Sequence, residues 1–132
     1  MTSHVLPAMI TKFHNAKVKN ENIVTLWGDG TPLREFLHVD DLANAIYFTT
    51  QNKMVNHLYN IGSEDEVSIN QLAEIIMKVT GYEGKIVWDS NYPNGTPRKK
   101  LDSTKLNKLG WRPLIRLTEG INEVYNWYTK SI

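Results

Sequence analysis

The chain has 132 residues, a formal net charge of +1, 41% hydrophobic and 22% charged residues, and no cysteine. That length suffices for one compact domain and is short for two, and the near-neutral balance lacks the broad positive field of a nucleic-acid binder. The lack of cysteine excludes disulfides and zinc–thiolate sites; with no 18-residue apolar run and no signal-peptide pattern after Met1, the expectation is a cytoplasmic protein without a membrane span.

From His4 to Asn20 the apolar residues Val5, Leu6, Met9, Ile10 and Phe13 fall at helical spacing, with Ser3 as N-cap and Pro7 tolerated in the first turn. Ile23–Trp27 reads as a short strand, stopped by the turn chemistry of Gly28-Asp29-Gly30-Thr31-Pro32. Arg34–Val39 reads as a second strand. Asp40 and Asp41 then read as caps of a helix running to about Gln51, with Leu42, Ala45, Ile46 and Thr49 as its apolar stripe. Leu58–Ile61 reads as another strand, closed by Gly62-Ser63. The clearest helix is Ser68 to Thr80: Ser68 and Gln71 form a capping box, and Gly81 suits the position just past the end.

Lys85–Trp88 is the next strand, followed by a long polar segment, Asp89 to Leu101, which reads as a loop. Asp102-Ser103 caps a short helix over Thr104–Leu109. A last helix carries Ile121, Val124, Tyr125 and Tyr128 at helical spacing. No internal repeat or low-complexity stretch interrupts the series. Helices alternate with short strands, more α than β.

None of the histidines His4, His14, His38 and His57 has a partner at metal-ligand spacing, so no metal site is expected. Gly28 and Gly30 lack a third glycine and precede a strand, which does not fit the dinucleotide fingerprint. No Tyr-x-x-x-Lys pair occurs, so the expectation is that a dinucleotide-binding half is missing from this chain. Arg34, after the glycine-rich turn, and Arg98, Lys99 and Lys100, on the long polar segment, remain as cations. Spacing alone suits a solvated surface better than a diphosphate clamp, although guanidinium forks match phosphate oxygens well.

As a set the motifs are recognisable. Trp27-Gly28-Asp29-Gly30-Thr31-Pro32 with Arg34-Glu35-Phe36-Leu37-His38-Val39-Asp40-Asp41 resembles the corresponding stretch of extended short-chain dehydrogenase/reductases that act on nucleotide sugars. Tyr59-Asn60-Ile61-Gly62-Ser63, Leu101-Asp102-Ser103-Thr104-Lys105-Leu106 and Leu109-Gly110-Trp111-Arg112-Pro113 follow the same pattern. Two further stretches, Ser3–Ile10 and Pro93–Lys99, resemble the GDP-L-fucose synthase family within that superfamily.

The resemblance implies an α/β fold: a small mixed helix-and-short-strand substrate-binding domain, spanning 1–132, of an extended short-chain dehydrogenase/reductase whose Rossmann domain is missing. It implies 3,5-epimerisation of GDP-4-keto-6-deoxy-D-mannose and NADPH-dependent 4-reduction, NADP as cofactor of the complete enzyme, and a homodimer when complete. By itself the chain is expected to be inactive. The family's proton-donating histidine, which also contacts the nicotinamide end of the cofactor, maps onto His4. Its substrate contacts map onto Lys12, Trp27, Arg34, Asn94 and Lys99. Lys12 stands where arginine is common in the family and Asn94 where aspartate is common. Without the resemblance, His4 reads as a helix-start residue, Trp27 as a core tryptophan, and Asp40 and Asp41 as helix caps. A non-catalytic GDP-sugar-binding module, an interface remnant, or a fragment of another nucleotide-sugar epimerase or dehydratase are the competing readings.

Overall fold

The computed structural model describes residues 4–132. Its elements in chain order are α1 (Val5–Val18), β1 (Ile23–Trp27), β2 (Leu33–Glu35), α2 (Val39–Gln51), β3 (Glu66–Ser68), α3 (Ile69–Thr80), β4 (Lys85–Asp89), β5 (Arg98–Lys99), α4 (Thr104–Lys108) and α5 (Leu117–Ser131). The expected mixture of helices and short strands is present. Among the described residues, no helix is long and apolar enough to cross a membrane.

The main core forms where three helices and one small sheet present their apolar sides to each other. Met9, Ile10, Phe13 and Ala16 recur at helical spacing along α1 and meet Leu72, Ala73 and Ile76 of α3 and Ile121 of α5. β1 alternates, burying Val24 and Leu26 and exposing Ile23, Thr25 and Trp27. It pairs in parallel with β4, from Ile23 opposite Lys85 to Trp27 opposite Asp89. Each fully buried side chain such as Phe13 or Leu72 contributes about 1.5–3 kcal/mol of transfer free energy. The Phe13 and Tyr82 rings meet edge to face at 5.6 Å.

α3 starts and stops as its sequence predicts. Ser68 accepts the Gln71 N–H, the Gln71 side chain accepts the Ser68 N–H, and Gly81 ends the helix in the left-handed region at φ 67°. The expected cap of α1 by Ser3 lies outside the described residues; His4 occupies the N-cap position, with no side-chain cap bond.

Other expectations are corrected. The strand expected over Arg34–Val39 ends at Glu35, because His38 N-caps α2 by accepting the Asp40 N–H at 3.3 Å. Asp40 is exposed, while Asp41 is buried and accepts the N–H groups of Leu114 and Ile115 at 3.0 and 2.9 Å. Asp41 thus ties the 111–116 segment to α2 rather than capping it. Of the stripe expected on α2 only Ala45 is buried, and Leu42 and Ile46 are exposed. Leu58–Ile61 joins no sheet, since no strand among the described residues runs beside it; Tyr59 and Ile61 instead pack on a second, smaller cluster of Ala45, Leu106 and Trp111.

Two strands were not expected. β3 pairs antiparallel with β2, and β5 pairs parallel on its other side, Leu33 opposite Arg98 and Arg34 opposite Lys99. The Arg98 guanidinium reaches across β2 to Glu66 as a two-bond fork, both at 2.6 Å. The Glu35 carboxylate accepts the N–H groups of Glu64 and Leu101 at 3.1 and 2.8 Å. These contacts convert the end of the expected loop into sheet. α5 approaches closely at Gly120, where an added Cβ would lie 3.0 Å from the His38 ring.

Candidate functional site

The N-terminal ends of α1 and α5 and the β2–β5 ladder enclose a cleft of about 510 Å³, floored by apolar groups including Phe36, Leu117 and Ile121. Its rim carries His4, Arg34 and Lys99. Arg34 and Lys99 belong together because they are register partners on adjacent strands, which lie about 4.8 Å apart and project paired side chains to one face. One Arg34 N–H is spent on the Leu33 carbonyl at 2.7 Å, and the rest of the fork remains for a ligand. Among the described residues the ion pairs within 4.0 Å join His38 to Asp40, His38 to Glu123 and Arg98 to Glu66; none neutralises Arg34 or Lys99.

Strand alternation separates the two neighbouring cations. Arg98 faces away from Lys99 and is held by Glu66, whose carboxyl the guanidinium keeps below its ordinary value. Arg98 is therefore a structural cation and Lys99 a free one, a distinction that an expected loop could not supply. The exposed His4 imidazole makes no cap bond and borders the same cleft.

Trp27 and Asn94 lie elsewhere, Trp27 at the end of β1 and Asn94 in the segment between β4 and β5. Trp27 is 67% exposed, which corrects the reading of a core tryptophan, and its ring stacks on Tyr92 at 4.2 Å and 7°. Asn94 Oδ1 accepts the Asp29 N–H at 2.8 Å. Gly28 makes this possible: it sits at φ 87°, and a Cβ there would lie 2.3 Å from Asn94 Oδ1. The Thr31 hydroxyl first, then the Thr31 N–H and the Asn94 side chain, hold the Asp29 carboxyl below its ordinary value. Asn94 thus already has a task within the turn. The stretch from Tyr92 to Lys99 spans at most about 25 Å when extended, which bounds the backbone distance between the aromatic pair and the cationic cleft.

Lys12 joins neither part. Its ammonium donates to the Thr25 carbonyl, tying α1 to β1. Of the six residues expected at a site, the fold thus brings three into one cleft, puts two at a neighbouring turn and sets one apart. Sequence reasoning missed Tyr92, whose signal was an aromatic side chain within a polar segment, and Arg116, which lines the cleft from the start of α5. His38, Asp40 and Glu123 offer ligand atoms within 4.8 Å of one another. Nδ1 of His38 is already the acceptor that caps α2, and its Nε2 lies 3.6 Å from the Glu123 carboxylate.

The site's chemistry is now definable: two adjacent cations unneutralised by protein for an anion, an apolar floor, an imidazole at the rim and a stacked aromatic pair nearby. Comparisons with known proteins agree with it. Residues 1–62 match the family model described as "NAD dependent epimerase/dehydratase family". The chain is 51% identical over 130 residues to "Probable GDP-L-fucose synthase 1" of Oryza sativa subsp. japonica, covering 98% of this chain and 40% of that protein. It is 42% identical over 139 residues to "GDP-L-fucose synthase" of Escherichia coli (strain K12), covering 98% and 43%. The crystal structure of a GDP-L-fucose synthetase from Naegleria fowleri bound to NADP superimposes with a TM-score of 0.88 at 27% identity, over 98% of this chain and 41% of that one. The chain therefore spans about 40% of the length of the curated relatives it matches. In sequence and fold the chain is thus similar to part of these proteins, and its first 62 residues match the NAD dependent epimerase/dehydratase family model.

Proposed function

We propose that these 132 residues form the sugar-nucleotide-binding domain of a GDP-L-fucose synthase, an enzyme that inverts C3 and C5 of GDP-4-keto-6-deoxy-D-mannose and reduces its 4-keto group. The observation that carries this reading is the pairing of Arg34 with Lys99 in the lining of one cleft that His4 also lines. Two fixed cations at strand spacing match a diphosphate, whose charge is spread over neighbouring oxygens. Trp27 and Tyr92 supply a flat face for a base or a hexose ring. His4 is the proton donor to the carbon being inverted, since imidazole exchanges protons near neutral pH. In this reading Arg34 and Lys99 bind and orient, the apolar floor excludes water, and His4 delivers the proton.

NADP would supply the hydride for the reduction. Its glycine-rich cradle and the Tyr/Lys pair are not among these residues, so this chain's part is confined to the sugar nucleotide and its protons. Alone it should hold GDP-sugar without turning it over. Calorimetric titration with GDP tests the assignment: Arg34→Ala and Lys99→Ala should each weaken binding by about 10-fold or more, the scale of one charge-assisted contact. Wild-type affinity for GDP in both variants would overturn the clamp.

A further inference from the structure

We propose that Arg116 is a third anion contact of the cleft and makes it select a diphosphate over a monophosphate. This rests on the reading of the cleft as a sugar-nucleotide site, and extends it to a residue that the family resemblance did not point to.

Arg116 is the N-cap residue of α5, at φ −72° and ψ 152°, and its side chain makes no cap bond. Serine, threonine, aspartate and asparagine suit that position because an oxygen there accepts a free N–H of the first turn. Arginine offers no acceptor and adds positive charge at the positive end of the helix dipole. It destabilises the helix start, so its presence there calls for another use.

Arg116 shares the cleft with Arg34 and Lys99, and like charges on one small surface repel. The acids nearest the cleft are engaged elsewhere: Glu35 accepts from the Glu64 and Leu101 N–H groups, Glu66 holds Arg98, Asp41 accepts from Leu114 and Ile115, and Glu123 faces His38. Asp65 and Glu119 border the adjoining groove that Arg116 also touches. Neither forms an ion pair with it within 4.0 Å. Three cations and one acid, Glu35, thus line the cleft, which fits a ligand carrying more negative charge than two cations neutralise.

Arg116→Ser tests this cleanly, because serine is a good N-cap and the variant should melt no lower than wild type. Calorimetric titration of the 132-residue chain with GDP and with GMP, at low and at physiological salt, reads the effect. Arg116→Ser should weaken GDP binding about 10-fold with a shallower salt dependence, weaken GMP binding less, and Arg116→Lys should recover most of the loss. Wild-type GDP affinity in Arg116→Ser, or equal losses for GDP and GMP, would overturn the proposal. Arg34→Ala run in parallel separates the two claims: loss there with none in Arg116→Ser leaves the cleft assignment standing and removes Arg116, whereas loss in neither removes the cleft assignment itself.

Discussion

The two sides of the molecule are held by different forces. Around α1, α3 and α5 eleven buried residues form one continuous cluster that includes the inner face of β1. Around α2 and α4 the buried cluster is Ala45, Leu106 and Trp111 alone, and Val39, Leu42, Ile46 and Tyr47 of α2 are exposed. What fixes α2 is mostly polar: the His38 cap and the two backbone N–H groups that Asp41 accepts from residues 114 and 115. Hydrophobic burial is non-directional and tolerates small shifts, whereas two hydrogen bonds to one carboxylate set an orientation. The cleft lies where these two sides meet, lined from the larger side by α1 and the start of α5 and from the smaller side by His38 and Val39 at the start of α2.

The contrast can be broken at several points. The largest effect is expected from Phe13→Ala, which removes a fully buried ring in contact with Tyr82 and should cost about 3–5 kcal/mol of global stability in chemical denaturation. Leu106→Ala, in the smaller cluster, should instead speed amide exchange in α2 and α4 while α1 and α3 stay protected. If both variants unfold the whole chain to the same extent, the two sides are one cooperative unit and the comparison fails.

A middle effect is expected from Asp41→Ala, which strands the Leu114 and Ile115 donors in a half-buried place. The loss should be about 2 kcal/mol, with faster exchange at those two amides. Unchanged exchange there would show that burial, not Asp41, positions the 111–116 segment.

The smallest effect concerns pH. Arg98 holds the Glu66 carboxyl below its ordinary value, first by hydrogen bonding and then by its charge. A carboxyl depressed in the folded state contributes stability above the ordinary carboxylate range and loses it as pH falls through the folded value. Wild type should therefore lose more melting temperature between pH 7 and pH 3 than Glu66→Gln, with the difference between them closing at the acid end. Parallel curves would show that the fork contributes nothing to stability.

How far the sequence reveals this structure depends on whether a signal is local. The capping box of Ser68 and Gln71, the stop at Gly81 and the β-prone run Ile23–Trp27 lie within a few residues of what they determine, and each is found as expected. Leu58–Ile61 has the composition of a strand but no neighbouring strand to pair with. β3 and β5 have the pairing but only three and two residues, too few for any period to show. Both depend on β2, itself three residues long. The site divides the same way. Arg34, Lys99 and His4 were singled out by family resemblance alone, whereas the adjacency of Arg34 and Lys99 follows from the β2–β5 register, which no spacing in the chain predicts. Asp41 shows the opposite error, since a local capping rule explained its place and a contact more than seventy residues away took its carboxylate.

The β2–β5 ladder also has a consequence in time. Its companion bond, from the Leu101 N–H to Glu35, closes a loop of 66 residues, and the entropy of closing so long a loop is lost before two pairs of strand residues can repay it. α3, with its start and stop encoded within fourteen residues, needs no such closure. Helical segments of this kind form within microseconds, while chains that depend on distant pairings fold far more slowly. During refolding the helical framework should therefore precede the juxtaposition of Arg34 and Lys99, and the ability to hold an anion should be among the last properties the chain acquires.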